Sequence, residues 1–276
     1  MTEFLTKPRI ELIGKSVFDI DGLMKFLDSS GFEWPEFQKK LDSNMDLGDH
    51  DNEYLIEFGG RNCYQSWPKK GGELKGRTHE QHIKHLIEVG HGSCLEHSTF
   101  NFQIWNVSRS LTHELVRTRV GVAYSQLSQR YVDSSNINFI VPPAILELEK
   151  VNQQAVEKWK QFCLQSRDLY EELTSDLMEL YKDIEDKTEK RKRSRESARS
   201  VLPNCAETKI MVTLNGRSVR TLMELRGSQG ADREIRMLAV EMFKIMERDF
   251  PLIVHGMSII KLPDGSEGIE SKFRKV

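Results

Sequence analysis

The sequence lacks the features that would place the chain in a membrane or among general nucleic-acid binders. No run in its 276 residues approaches eighteen apolar residues, which excludes a helix that spans a bilayer. Lys and Arg (40) nearly balance Asp and Glu (42), so the formal net charge is -2 and the strongly basic composition of a nucleic-acid binder is absent. With 38% hydrophobic and 30% charged residues, the chain is predicted to be globular.

The cysteine content gives no sign of cross-linking or of a bound metal. The four cysteines are widely spaced and no two form a CxxC pair, so their spacing predicts neither a zinc site nor a disulfide framework. The N-terminal stretch carries early charges and no apolar core, unlike a secretory signal. These features predict a reducing, cytoplasmic location. His79, His82 and His85 are predicted to be ordinary exposed side chains rather than metal ligands.

Hydrophobic periodicity predicts an α+β protein, in which a single helix-rich domain over residues 1–276 surrounds a central sheet. Residues 1–60 mix short apolar pieces with Gly, Asp and Asn, and they yield no clear elements. Beyond them, the pattern predicts strands at 98–107, 138–141 and 210–214 and a loop at 120–136. It also predicts helices at about 78–89, 144–182, 187–201, 216–226 and 232–248, and a further helix that is capped by Ser108.

Three arginines lie within the fourteen residues 117–130. Arg117 and Arg119 leave an apolar helix, and Arg130 ends a polar loop that is rich in Ser and Gln. Arginine suits the bidentate recognition of phosphate, and the neutral Ser and Gln side chains could hydrogen-bond a nucleotide base. A surface loop with solvated arginines has the same composition, so this segment alone leaves both interpretations open.

Two further segments combine polar residues with a turn. Asn215-Gly216-Arg217 predicts a strand-to-helix turn, where free backbone N–H groups favour an anion, and Arg226 follows nine residues later. Asn-Gly is also a common turn without any binding role. The second segment, 90–97, holds two His and one Glu, but its spacing differs from the HExxH of zinc proteases.

Together these segments resemble the signatures of the flavin-dependent thymidylate synthases. In the family signature, Arg-His-Arg is followed by seven residues and then by Ser-x-Arg. Here the corresponding residues 117–119 are followed by eight residues and then by 128–130. The family's Gly-His segment matches 90–97, and its Asn-x-Arg turn with a later Leu-Arg matches 215–226. The likeness covers residues 60–250 in the right order. Two departures are present, because Thr118 replaces the signature His and the loop holds one extra residue.

The resemblance implies the fold of that family and a flavin reaction. FAD would be reduced by NADPH, methylenetetrahydrofolate would supply the carbon, and dUMP would be methylated at C5 to dTMP. A homotetramer with a shared flavin site is implied, without a nucleic-acid or membrane partner. No protein nucleophile is required, which agrees with the cysteines, since none lies in the Pro-Cys-His setting of the non-flavin synthase.

The resemblance also assigns residues to two sets, with no metal. Arg226 corresponds to the catalytic arginine that contacts the uracil and favours ionised N3, because a fixed cation lowers the pKa of a weakly acidic N–H. The residues expected to bind dUMP are Glu114, Arg117, Gln126, Leu127, Ser128, Gln129, Arg130, Arg199 and Arg226. The residues expected to bind the flavin are His91, Ser93, Arg117, Thr118, Arg119, Gln126, Asn215, Gly216, Arg217 and Thr221.

Thr118 and the extra loop residue keep two alternatives open. One is a related flavoenzyme that modifies another uridine nucleotide or makes a hydroxymethyl product. The other is a non-catalytic nucleotide-binding relative, which the absence of flavin or of the catalytic arginine would favour; Arg226 is present.

Overall fold

Helices and short strands follow one another along the chain in the computed structural model. It describes residues 2–42, 51–69, 76–274 and 276, so part of the 1–60 region lies outside the described residues. The strands are β1 (Phe4–Leu5), β2 (Arg9–Lys15), β3 (Thr99–Ser108), β4 (Val122–Gln126), β5 (Phe139–Ile140), β6 (Glu207–Asn215), β7 (Met257–Lys261) and β8 (Glu267–Ser271). The helices are α1 (Ile20–Ser30), α2 (Pro35–Asp42), α3 (Asp51–Tyr64), α4 (His79–Glu88), α5 (Arg109–Leu115), α6 (Pro143–Leu148), α7 (Gln153–Leu180), α8 (Lys187–Ala198), α9 (Gly216–Arg226) and α10 (Arg233–Asp249). Mixed helix and sheet confirms the predicted α+β class.

The central sheet has the order β2-β3-β6-β4 and is antiparallel throughout. On β3, alternate residues are apolar, and Phe100 and Phe102 are fully buried opposite Leu214 and Val212 of β6. The predicted strands at 98–107 and 210–214 are therefore confirmed. The sheet carries the polypeptide directly into α5 and α9, since each of these helices begins where β3 or β6 ends.

The predicted loop at 120–136 is wrong in its first part. Residues 122–126 form the edge strand β4, which pairs with β6 from Val122 opposite Leu214 to Gln126 opposite Ile210. The strand is short, and only Val122 and Tyr124 pack against the core. Because the pairing partner lies more than eighty residues away, the local composition does not reveal the strand.

The predicted helix at 144–182 is two helices, α6 and α7, separated by residues 149–152. Asn152 begins α7 because its side chain accepts a hydrogen bond from the Ala155 backbone N–H. The short strand at 138–141 is confirmed as β5, which pairs with β1. None of the described helices is long and apolar enough to cross a membrane.

Helices α9 and α10 cover the core side of the sheet. Leu222 and Met223 of α9 and Leu238 and Met242 of α10 are fully buried in one cluster with the sheet residues. The predicted helices at 216–226 and 232–248 are confirmed, as is Ser108 as the cap of α5, where its Oγ accepts from the Leu111 N–H at 2.9 Å. Helix α9 is consequently held in one orientation along its length.

The first sixty residues contribute to both the sheet and a separate apolar cluster. Strand β2 forms one edge of the sheet, and α1 and α2 supply aromatic and aliphatic side chains that pack around Trp34 and Trp67. The Trp34 indole donates to Glu57 Oε1 at 3.3 Å, which connects this cluster to α3. Strands and helices, among them β2, α1 and α2, thus form within residues 1–60, although the sequence pattern there predicted no clear element.

The prediction of three exposed histidines on α4 is wrong. His79 Nδ1 lies 2.6 Å from Glu57 Oε2. The Glu57 side chain is fully buried, and its other oxygen, Oε1, accepts from Arg61 Nε at 2.5 Å. His82 is buried, and burial first, then the positive charge of Arg61, lowers its pKa to about 4. Because the apolar stripe of α4 faces the core, the histidines beside this stripe are partly or fully buried. Among the described residues, no group of three or more His, Cys, Asp or Glu could hold a metal ion.

Candidate active site

Four of the residues expected to bind the flavin, Asn215, Gly216, Arg217 and Thr221, lie at the N-cap or in the first turns of α9. Asn215 ends β6 and caps α9, where its Oδ1 accepts from the Ser218 N–H at 2.8 Å. The Gly216 N–H donates to the Ser98 carbonyl at 3.0 Å. Two of the N–H groups that the sequence assigned to an anion are therefore used inside the protein.

The loop after Arg119 packs against the same turn of α9. Ser218 Oγ donates to the Val120 carbonyl at 2.5 Å, and the Asn215 N–H donates to the Gly121 carbonyl at 3.0 Å. Gly121 has φ +67°, and a Cβ atom there would overlap Asn215 Nδ2. A glycine is needed on both grounds. The loop that is one residue longer than the family signature thus packs Val120 and Gly121, which directly follow Arg119, against the start of α9.

The Gly-His segment approaches α9 from the other side. Residues Gly92–His97 form a short 3-10 helix that precedes β3, and Glu96 pairs with Arg217 at 2.7 Å. A Cβ atom at Gly92 would lie 2.9 Å from Arg217 Nε, so this close approach requires glycine. Ser93 is exposed, and the His91 ring stacks on Tyr64 with centroids 5.7 Å apart. The rim that these residues form is polar and accessible.

Like Asn215 and Arg217, two more of the residues expected at the flavin have side chains that already bond within the protein. The Thr221 hydroxyl donates to the Arg217 carbonyl at 3.0 Å. The Gln126 amide donates to Thr112 Oγ1 at 3.0 Å and to Thr208 Oγ1 at 3.2 Å. The amide oxygen of Gln126 is the part of this side chain that is left to meet a ligand.

Arg226, at the far end of α9, meets Glu114 of α5. Its Nη2 donates to the Glu114 carbonyl at 2.8 Å, and its Nη1 lies 3.3 Å from Glu114 Oε2. Burial raises the pKa of the Glu114 carboxyl to about 7, as does a hydrogen bond with Asp232, while the charges of Arg226 and Arg117 oppose this. Arg226 Nε is buried and has no hydrogen-bond partner among the described residues. The structure therefore joins two residues that the sequence assigned to dUMP.

Arg226 with Glu114 forms the first arginine cluster of the candidate site, and a second arginine cluster lies around Glu196 of α8. Arg130 Nη2 pairs with Glu196 Oε2 at 2.7 Å, and Arg199 Nε donates to the Glu196 carbonyl at 3.3 Å. Burial, and then the positive charge of Arg199, lower the pKa of the guanidinium of Arg109, the first residue of α5. Arg109 Nη1 and Arg130 Nε are buried and have no partner within the described part of the chain. Unpaired buried donors of this kind favour an anionic ligand.

The remaining expected dUMP residues form the turn between β4 and Arg130. The Leu127 N–H donates to the Lys209 carbonyl at 2.9 Å, which continues the pairing of β4 with β6. Ser128 Oγ accepts from the Arg130 N–H at 3.3 Å. Gln129 is buried, and its Nε2 lacks a partner among the described residues. This turn presents amide and hydroxyl groups beside the guanidinium of Arg130.

Helix α5 connects the two arginine clusters. Arg109 and Glu114 are five residues apart, which corresponds to about 7.5 Å along a helix axis. Sequence reasoning missed Arg109, Glu196 and Asp232, because each belongs to the site only through a tertiary contact. Arg109 directly follows Ser108, the capping residue of α5, but this position alone does not distinguish it from a surface arginine.

The cysteines take no part in either cluster. All four are free thiols, and Cys163 Sγ of α7 lies 3.7 Å from Cys205 Sγ. The hydrogen bond with Cys163, followed by burial, raises the pKa of the Cys205 thiol, while the same hydrogen bond lowers the pKa of the Cys163 thiol, which is fully buried. A thiol with a raised pKa is a poor nucleophile.

The comparisons with known proteins agree with this arrangement. A family model described as thymidylate synthase complementing protein matches residues 46–252. A flavin-dependent thymidylate synthase from Mycobacterium avium (strain 104) is 42% identical over 216 residues, which cover 77% of this chain and 82% of that protein. One from Mycobacteroides abscessus is 41% identical over 213 residues, and one from Mycobacterium tuberculosis (strain CDC 1551 / Oshkosh) is 39% identical over 216 residues, with the same coverage of 77% and 82%. The matched segment contains the whole of the region 60–250 that carries the sequence signatures, and the chain belongs to the family of flavin-dependent thymidylate synthases.

Proposed function

We propose that the protein methylates dUMP at C5 to dTMP, with FAD as cofactor, NADPH as reductant and methylenetetrahydrofolate as carbon donor. The observation that carries this proposal is that α9 joins both sets of residues. Arg217 stands at its start among the residues assigned to the flavin, and Arg226 ends it among those assigned to dUMP. Nine residues separate them, about 13 Å along the helix. One rigid helix thereby fixes the spacing of the two ligands.

The residues at the start of α9 fit a flavin nucleotide. Arg119 is exposed and Arg217 is half-exposed, and these two cations suit the diphosphate of FAD. Gly92 and Gly216 lie where a larger residue would overlap neighbouring protein atoms, so these glycines allow the Gly-His segment to pack closely against the start of α9. When bound, the flavin supplies the hydride chemistry. The protein residues bind it and orient it.

The arginine clusters fit a pyrimidine nucleotide. Arg109, Arg130 and Arg199 supply cations for the phosphate, and the amides of Gln126 and Gln129 suit the base or sugar. Arg226 is proposed to contact the uracil and to stabilise negative charge at N3. This scheme needs no thiolate, in agreement with the raised pKa of the Cys205 thiol.

A homotetramer, the fold type of the family, a single domain and a cytoplasmic location complete the proposal. Large apolar side chains on the outer face of α7 support an assembly, because Phe162 is 57% and Leu169 is 43% exposed in the single chain. Their spacing of seven residues places them on one face of the helix. Sedimentation of the purified protein tests the assembly.

A second candidate is a related flavoenzyme that acts on another uridine nucleotide or makes a hydroxymethyl product. Two departures from the family signature favour it, since Thr118 replaces the signature His and the loop holds one extra residue. Product mass decides between the two, because a hydroxymethyl group is heavier than a methyl group by one oxygen atom.

The experiment that tests the proposal begins with the absorption spectrum of the purified protein. We expect flavin bands, and release of FAD rather than FMN on denaturation. The same preparation should then convert dUMP to dTMP when NADPH and methylenetetrahydrofolate are supplied. A colourless protein that cannot be reconstituted with FAD would contradict the proposal.

A further inference from the structure

The phenol of Tyr124 reaches from the edge strand β4 to the end of α5. Its hydroxyl lies 2.7 Å from the Leu115 carbonyl oxygen and 2.6 Å from the Thr118 carbonyl oxygen. A phenol has one proton to donate, so these two carbonyls share it. The ring packs against the hydrophobic core, and Tyr124 pairs with Val212 of β6. The hydroxyl is therefore fixed on the sheet, while its acceptors belong to the last residue of α5 and to the segment that follows.

We call residues 116–121, which contain Arg117 and Arg119, the arginine turn. The second half of this turn is held by the end of β6 and the start of α9, where the Val120 and Gly121 carbonyls accept hydrogen bonds. Its first half is held by the phenol. Both arginines are exposed. The backbone of the turn is thus fastened to the protein, and its two guanidinium groups remain accessible to a ligand.

The hydrogen bond from the phenol goes to the backbone of residue 118 and not to its side chain. The turn can therefore keep its shape although Thr118 replaces the signature His. Burial raises the pKa of the Tyr124 phenol to about 12, so the hydroxyl keeps its proton and remains a donor at any pH near neutrality.

We propose that Tyr124 is a positioning residue, whose hydroxyl holds the arginine turn in the conformation that binds the flavin. This inference rests on the proposed function, which assigns Arg117, Thr118 and Arg119 to the flavin. The hydrogen bond favours the binding conformation before the ligand arrives. The flavin then meets two guanidinium groups that are already in place, and binding does not have to order the turn.

Tyr124→Phe removes the hydrogen bond and keeps the ring that packs against the core. Loss of one such hydrogen bond should raise the ratio of other conformations of the turn to the binding conformation about threefold to tenfold. The apparent dissociation constant for FAD should rise by at least about twofold and by no more than that ratio. Saturating ligands restore the binding conformation, so kcat should stay within about twofold of the wild type.

Limited digestion with trypsin reports on the turn without any ligand, because trypsin cleaves after arginine and both Arg117 and Arg119 are exposed. Cleavage of the native protein at these two positions should be about threefold to tenfold faster in Tyr124→Phe, since it follows the population of the opened turn. The matched control is Tyr181→Phe, which removes a hydroxyl at the C-terminal end of α7, outside both sets of site residues. It should be digested like the wild type.

A fluorescence titration of FAD into the flavin-free full-length protein then measures the dissociation constant, and turnover is measured with dUMP, NADPH and methylenetetrahydrofolate in excess. We expect Tyr124→Phe to bind FAD more weakly and to keep its kcat. A dissociation constant equal to that of the wild type would overturn the link between Tyr124 and the flavin. A large fall in kcat at saturation would place the phenol in the chemistry, and it would overturn a positioning role.

Ser218→Ala provides a second variant, because it removes the hydrogen bond to the Val120 carbonyl at the other end of the arginine turn. Circular dichroism establishes that each variant is folded. If Tyr124→Phe is not, Ser218→Ala decides: faster cleavage at the two arginines and weaker FAD binding would support the inference, and wild-type behaviour in both would overturn it. No binding of FAD by the wild type would overturn the proposed function and this inference with it, whereas wild-type binding with unchanged variants would overturn this inference alone.

Discussion

Replacing Arg226 with alanine removes the residue that links α9 to Glu114. Arg226 is 19% exposed at its side chain, and it makes two hydrogen bonds to Glu114. Loss of one charge-assisted contact to charge that develops in the transition state should cost roughly 2–4 kcal/mol, or about 10²–10³ in rate. Loss of the bonds to Glu114 should lower the free energy of unfolding by about 1–3 kcal/mol, which a folded domain tolerates.

Flavin binding should survive this substitution, because the residues assigned to FAD lie at the opposite end of α9. Arg226→Lys should recover only part of the rate, since lysine keeps the charge but loses the planar fork. Arg233→Ala is a suitable control, because Arg233 is also a partly exposed arginine and pairs with Glu147 outside the site.

The assay separates the two half-reactions. FAD is titrated into each variant, and NADPH oxidation, dUMP binding and dUMP methylation are then measured independently. We expect Arg226→Ala to keep the flavin spectrum, to bind dUMP weakly and to lose methylation. Near-normal methylation by Arg226→Ala would refute the assignment of this arginine to the uracil.

Three further predictions follow from the described contacts. Replacing all four cysteines with serine should leave dUMP methylation detectable, and loss of turnover in a folded, flavin-bound protein would contradict a mechanism without a thiolate. Gly121→Ala should weaken FAD binding, as a fluorescence titration would show, and should destabilise more than Gly265→Ala, which has a similar φ of +79° but open space around it. Burial raises the pKa of the Glu57 carboxyl, but hydrogen bonds with His79 and Arg61 and the charges of these partners lower it more. The ionised carboxylate therefore stabilises the fold above pH 4.5, and this stabilisation is lost as the pH falls below that value. Denaturation of Glu57→Gln should show a loss of about 3 kcal/mol at neutral pH that shrinks in acid, while Glu80→Gln, an exposed ion pair, should change little.

The parts of the fold that the sequence predicted are those with local causes. Thr78 is the N-cap of helix α4 and forms a capping box with Gln81, so this helix start is determined by four consecutive residues. Helix α9 begins at a capping Asn215 that follows a buried strand, which is also a local pattern. The edge strand β4 was missed because its hydrogen bonds go to β6, and a short polar sequence can form an edge strand when a partner is supplied.

The candidate site divides in the same way. Its arginines were found because their residue type suits a nucleotide, and comparison with the family gave their order. Arg109 and Asp232 were not found, because neither has a local pattern that distinguishes it from a surface residue. Burial beside Arg199 and contact with Glu114 give these two residues their properties. Both contacts join elements that are far apart in the sequence, so no window of residues contains the information.

Helix α9 carries the two proposed ligand sites at its opposite ends, and its packing should keep them in register when either one is altered. Its buried face, with Val219, Leu222 and Met223 fully enclosed, fixes the whole helix against the sheet. A substitution at either end changes the contacts of that end and leaves this face intact. Gly121→Ala acts on the first turn and Arg226→Ala on the last residue, and the two positions share no neighbour among the contacts described above. Their effects on the free energy of unfolding should therefore add within about 0.5 kcal/mol in the double variant. A larger deviation from additivity would mean that the two ends of the helix are coupled, and it would contradict this reasoning.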